Sequence, residues 1–182
     1  MKKLSLLVFS ALALLSSCIS EEENYTIRLE QDKEAILKYI SENPMPAMGE
    51  FKDVPNGVYI FWKEKMNTTD TLKIGDTLLI DYTGRLLDNT VFDTSNDSIA
   101  KAHNIHNSQR TYKPMEYLVG RDRLIQGFEF ALTKMQEGDK VTTIFPSLFG
   151  YGNTQQGSIP PNSPLIFEIH MVEVKKNTAN ND

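Results

Sequence analysis

The chain has 182 residues, 40% hydrophobic and 24% charged, enough for one globular domain with appendages. Its net charge of -5 and pI near 5.3 exclude the basic face that a nucleic-acid partner needs. Cys18 is the only cysteine, so no intrachain disulfide exists and packing must supply the stability.

Met1-Lys2-Lys3 is a short basic stretch, and Leu4 to Leu15 is an apolar run too short to span a bilayer as a permanent helix. Residues 1–17 therefore read as an export signal. Leu15-Ser16-Ser17-Cys18 resembles a bacterial lipobox, a leucine and two small residues before a cysteine that is acylated and becomes N-terminal. The expectation is a mature protein held on a membrane of the cell envelope by acyl chains on Cys18, anchored without spanning.

Residues 18–56 are expected to form the lipidated tether. Ile19-Ser20-Glu21-Glu22-Glu23 is an acidic spacer. Between Leu29 and Glu42, apolar Ala35, Ile36, Tyr39 and Ile40 recur at helical period with Asp32, Lys33, Glu34 and Lys38 interspersed, which predicts a helix. Asn43-Pro44 and Pro46 stop it, and Met45 to Asn56 reads as a linker.

From Gly57 onward the period changes to two. Strands are predicted at Gly57–Trp62, Thr77–Leu86, Thr90–Asp93 and Pro114–Val119, and later at Lys140–Pro146 and Pro164–Val174. In the second, Leu78, Ile80 and Tyr82 share one face, so Tyr82 points inward, while Asp88-Asn89 signals the turn that brings Asp93 close to it. Residues 94–113 form a polar insert, read as a long flexible loop. Its His103 and His106 find only Asp97 and amides nearby as further ligands, so no metal or other cofactor is expected. After Gly120 a turn leads into a helix whose stripe of Leu124, Ile125, Phe128 and Leu132 faces the core. The sum is an α+β domain over residues 57–176, an antiparallel sheet wrapped on one short helix, preceded by a short N-terminal helix and followed by a polar tail at 177–182.

Five motifs occur in order: Asp81-Tyr82-Thr83-Gly84, Val91-Phe92-Asp93, Leu124-Ile125-Gln126-Gly127-Phe128, Pro146-Ser147-Leu148-Phe149-Gly150-Tyr151-Gly152, and the run from Ile159-Pro160-Pro161 to Glu168. Together they resemble the FK506-binding-protein (FKBP) class of peptidyl-prolyl cis-trans isomerase, over roughly Gly57 to Lys175. With its tether, the chain is also similar to the isomerase lipoproteins associated with gliding motility in Bacteroidetes. The resemblance implies an apolar cup closed by aromatic side chains, with Phe92, Leu124, Ile125, Phe128, Ile159 and Phe167 binding substrate and Tyr82, Asp93 and Tyr151 as the catalytic set. It implies that the Tyr151 hydroxyl and the Ile159 N–H hold substrate carbonyls, while Tyr82 and Asp93 orient or polarise the turning amide. The implied partners are X-Pro segments of unfolded or envelope proteins and FK506-like macrolides. Some positions depart from the best-known pattern: Phe128 stands where the floor is usually tryptophan, and Met115 where an aromatic is common. Ser158 also replaces an aliphatic. These departures bear on substrate preference, and the alternative reading is a chaperone or binding module of the same fold. No Gly-x-Ser-x-Gly elbow, His-Glu-x-x-His or phosphate loop offers a rival chemistry.

Overall fold

The structure, a computed structural model, describes residues 21–67 and 70–178. Cys18 and the export signal lie outside the described residues. Seven strands, all antiparallel, form one sheet: β1 (Gly49–Asp53), β2 (Val58–Glu64), β3 (Thr77–Arg85), β4 (Val91–Thr94), β5 (Met115–Leu118), β6 (Lys140–Phe145) and β7 (Leu165–Lys175). Their order is β1-β2-β6-β7-β3-β4, and β5 pairs with the first half of β3. Helices are α1 (Glu21–Glu42), α2 (Asp97–Ala102) and α3 (Gln126–Leu132). The expected α+β architecture is thus present, with α3 in the concave face.

Alternation divides the sheet's residues between two cores. Ile60, Trp62, Leu78, Ile80, Val141, Phe145, Phe167 and Ile169 face inward onto Phe128, Ala131 and Leu132 of α3. On the outer face, Tyr59, Phe61, Ile144 and Ile166 are covered by Ile36 and Tyr39 of α1. Each large aliphatic or phenylalanine side chain so buried contributes about 1.5–3 kcal/mol relative to exposure.

Several expectations need correction. Residues 49–53 are not linker: they pair with β2 from Gly49 opposite Trp62 to Asp53 opposite Val58, because the prolines at 46 and 55 flank the strand instead of interrupting it. The N-terminal helix begins at Glu21, eight positions before the predicted Leu29, and so takes up the acidic spacer. Its Asp32, read among the polar positions, is only 2% exposed and accepts hydrogen bonds from the Ser147 N–H (2.9 Å) and hydroxyl (2.5 Å). Burial pushes that carboxyl above its ordinary pKa, against the lowering effect of the two Ser147 bonds and of Arg28.

The insert at 94–113 is likewise not a structureless loop. Asn96 caps α2, its side chain accepting from the Ser98 and Ile99 N–H groups, and Ala100 is buried. The ring of His106 stacks on Tyr112 at 5.3 Å and its Nε2 lies 3.1 Å from Asp97.

Because β1 and α1 belong to the folded body, a chain shortened to begin at Gly57 should expose Tyr59, Phe61, Ile144 and Ile166. Thermal melts should show it markedly less stable, or aggregated, beside a chain beginning at Glu21. Equal melting temperatures would contradict the packing of α1.

Candidate active site

The inner face opens to a cavity of about 530 Å³, within the range of small-molecule sites. All nine site residues expected from sequence line it: Tyr82, Phe92, Asp93, Leu124, Ile125, Phe128, Tyr151, Ile159 and Phe167, with Met115 and Ser158 beside them. Phe128 is 4% exposed and forms the floor as α3 enters the core. Phe167 meets Phe128 edge-on at 5.0 Å and Phe92 at 5.6 Å, and stacks on Phe145 at 5.9 Å. Tyr82 stands edge-on to Phe128 at 6.0 Å. Such pairs contribute about 0.5–1.5 kcal/mol each beyond area burial, so the walls are stiff.

The polar side of the cavity is set by the register of β3 and β4. The Tyr82 backbone is clamped on its free edge: its N–H donates to the Ser95 hydroxyl (3.0 Å), and its carbonyl accepts from the Ser95 N–H (3.0 Å) and the Thr94 hydroxyl (2.9 Å). Thr94 and Ser95 are buried, which fixes the strand end carrying Asp93. The Tyr82 hydroxyl then donates to Asp93 Oδ2 at 2.6 Å, and the Thr94 N–H donates to Asp93 Oδ1 at 2.8 Å.

Arg110, which sequence reasoning missed, completes this cluster. From the insert its guanidinium donates to Asp93 Oδ1 and, at 3.0 Å, to the Tyr82 hydroxyl. The ring of Tyr112 lies 5.2 Å from the guanidinium carbon, a cation–π distance. The available signal was an arginine in a polar insert that leaves and rejoins the sheet beside a carboxylate. Burial would lower the Arg110 pKa, but the bonds to Asp93 and Tyr82 raise it overall, so the group is permanently charged. Burial, reinforced by the Asp93 bond and charge, pushes the Tyr82 phenol up to about 12, with Arg110 opposing. Tyr151 is also raised, by burial and then by the Asp93 charge.

Residues lining the cavity carry unspent donors. The Tyr151 hydroxyl and the Ile125 N–H have no hydrogen-bond partner among the described residues. Ile125 is held at the end of the turn by Glu129, whose carboxylate accepts from the Leu124 N–H at 2.9 Å and the Tyr117 hydroxyl at 3.1 Å. The Ile159 N–H, by contrast, donates to the Gln156 carbonyl at 2.9 Å inside a turn with Gly157 at φ 55°. The carbonyl-holding role expected for the Ile159 N–H therefore does not fit this geometry, although the Ile159 side chain does line the cup.

Residues 68–172, more than half the chain, match the sequence profile of the FKBP-type peptidyl-prolyl cis-trans isomerase family. The short-type peptidyl-prolyl cis-trans isomerase of Methanocaldococcus jannaschii is 38% identical over 81 residues, covering 44% of this chain and 51% of that protein. A probable FKBP-type peptidyl-prolyl cis-trans isomerase of Haemophilus influenzae is 33% identical over 112 residues, covering 61% and 40%. A solved peptidyl-prolyl cis-trans isomerase from Pseudomonas syringae superposes with a TM-score of 0.57 at 22% identity, covering 83% of this chain and 96% of that one. FkpA from Escherichia coli gives 0.56 at 23% identity, covering 85% and 62%. At these identities the structural likeness is one of fold. The chain belongs to the FKBP-type peptidyl-prolyl cis-trans isomerase family. It spans about half or less of the length of the curated relatives it matches.

The raised Tyr82 pKa carries a sign. An unfolded tyrosine ionises near pH 10, whereas Tyr82 in the fold holds its proton to about 12. Its contribution to stability is therefore complete below about pH 10 and lost as pH rises through the folded value. Urea unfolding of wild type and Tyr82→Phe should show a constant gap in midpoint from pH 8 to about 10, then a narrowing gap toward 12. A gap unchanged through pH 12 would contradict the raised Tyr82 pKa, which burial causes first and the Asp93 bond reinforces.

Proposed function

We propose that this chain catalyses cis-trans isomerisation of X-Pro bonds in unfolded or envelope proteins by a non-covalent route. The observation that carries the reading is a cavity walled by Phe92, Phe128 and Phe167 into whose lining the Tyr151 hydroxyl and the Ile125 N–H bring donors with no partner among the described residues. Resonance holds the peptide bond planar behind a barrier of about 18–20 kcal/mol, and X-Pro exchange unaided takes tens to hundreds of seconds. In the twisted transition state the amide has lost that resonance, its nitrogen is pyramidal and its carbonyl less polar. An apolar cup disfavours the more polar planar form, so desolvation favours twisting.

The aromatic walls grip the proline ring, and Tyr151 and the Ile125 N–H hold carbonyls of the flanking chain, so that binding energy fixes one side of the bond while the other turns. Tyr82 has one hydroxyl proton, already given to Asp93, so it acts as wall and as holder of that carboxylate. Asp93, with Arg110, Tyr82 and the Thr94 N–H all donating to it, keeps acceptor capacity for one more polar hydrogen at the cavity mouth. No step calls for a nucleophile. The same cavity would accept FK506-like macrolides as competitors.

In a proline-limited refolding assay the purified chain should raise the slow-phase rate. Phe92→Ala should lower kcat/KM by roughly tenfold or more, about 1.4 kcal/mol, because it opens the wall to water. Phe92→Leu should recover most of that loss. Asp93→Ala should cost roughly threefold, acting on orientation alone. Unchanged refolding rates with wild type, alongside tight binding of an unfolded client, would favour the chaperone alternative.

We also propose that acyl chains on Cys18 tether the domain to a membrane of the cell envelope. The support is Leu15-Ser16-Ser17-Cys18 after a short apolar run; none of the described helices is long and apolar enough to cross a membrane. Cys18→Ala should move the protein from the membrane to the soluble fraction of a bacterial envelope preparation without altering its melting temperature. Wild type lacking any acyl label would refute the tether.

A further inference from the structure

We propose that Arg123 gives the site a preference for X-Pro segments carrying an acidic residue within two positions of the X-Pro pair. This deepens the isomerase reading and rests on it. Two charged residues line the cavity, Asp93 and Arg123, and they are in opposite circumstances. Asp93 is committed to Arg110, Tyr82 and the Thr94 N–H. Arg123 is exposed and makes no hydrogen bond or ion pair with any described residue.

The acids nearest in sequence are engaged elsewhere. Asp122 accepts from the Leu118 N–H at 2.7 Å, and Glu129 from Tyr117 and Leu124. Arg123 also lines a second cavity of about 420 Å³, so it stands on the ridge between two hollows. A peptide whose proline fills the aromatic cup must leave it over the rim, and one leaving by this ridge lays its flanking residues against the guanidinium. A carboxylate there meets a planar donor able to bind it in two places; glutamine meets it less well, and lysine is repelled. The protein's net charge of -5 works against acidic peptides at long range. A preference for them would therefore be local to the rim.

The test uses the full chain and labelled X-Pro peptides that differ by Glu, Gln or Lys, placed in turn at each of the two positions before X and after the proline. Both kcat/KM and Kd are measured, at low and high salt. At one position Glu should exceed Gln by about two- to fivefold, through KM and Kd, the size expected of an exposed charge pair. High salt should erase most of that ratio. Arg123→Gln should bring it to one, and Arg123→Glu should transfer the preference to the Lys peptide. A Glu-to-Gln ratio near one at every position, the same ratio in Arg123→Gln, or no binding of any peptide would overturn the proposal. An Arg123-dependent preference in Kd without any catalysis would uphold acid recognition and overturn the isomerase reading alone.

Discussion

The cavity depends on where the ring of Phe167 lies. Near the start of β7, Phe167 is paired with Gly84 on one side and Thr143 on the other. Gly84 is a glycine because of that ring: a Cβ there would come within 2.7 Å of Phe167 Cε1 and 2.5 Å of Phe92 Cε2. Gly127 makes the same kind of room a layer below, where a Cβ would meet Phe145 at 2.3 Å. Two missing side chains thus let Phe92, Phe128 and Phe145 converge on one ring from three directions. Overpacking at such a point costs about 1–3 kcal/mol, and the cost falls on the shape of the cup, because its walls are the atoms that would have to move.

A second constraint is the number of protons the hydroxyls have to give. Tyr82 and Tyr151 both line the cavity and both have raised pKa values, yet their chemistry differs. Tyr82 is spent on Asp93 and receives Arg110; Tyr151 has nothing among the described residues to bind. The division sets the polarity of the site. On one side a carboxylate is neutralised by a guanidinium that the insert delivers, and elsewhere donors wait for carbonyls. Since the peptide backbone offers mainly carbonyl acceptors next to proline, which has no N–H, a site with free donors and an acid already neutralised by Arg110 suits such a backbone.

The share of this that could be read from sequence follows the range of the interactions involved. Leu78, Ile80 and Tyr82 show their common face through a period of two, and every strand from 57 onward appears near its predicted place. The nine cavity residues were legible because the motifs carrying them are local and ordered. Arg110 was not, since its partners lie 17 and 28 positions away and the insert's fold decides where it points. For the Ile159 N–H the family resemblance implies a substrate role, but a turn back to Gln156 takes that donor, and the partner of a backbone donor leaves no trace in residue identity. β1 was hidden by its neighbours, five residues between prolines with Phe51 as the lone large apolar side chain facing in.

Asp32 is the case that ties the N-terminal helix to the chemistry. A buried carboxylate is costly unless fully partnered, and here its partners are both polar hydrogens of Ser147, at the start of a short 3-10 turn (Ser147–Phe149). The Ser147 carbonyl in turn accepts from the Gly150 and Gly152 N–H groups, at 2.9 and 2.8 Å, and the Gly152 carbonyl accepts from Asn162 at 2.7 Å. Tyr151 sits inside this chain of bonds, and the Gln156–Ile159 turn is enclosed by it. The loop that presents the free hydroxyl is thus fixed at its base by a residue 115 positions earlier, outside the stretch that matches the family. Residues 21–67 are on this account more than a spacer: α1 covers the outer core with Ile36 and Tyr39 and, through one carboxylate, sets the loop that gives the cavity its donor.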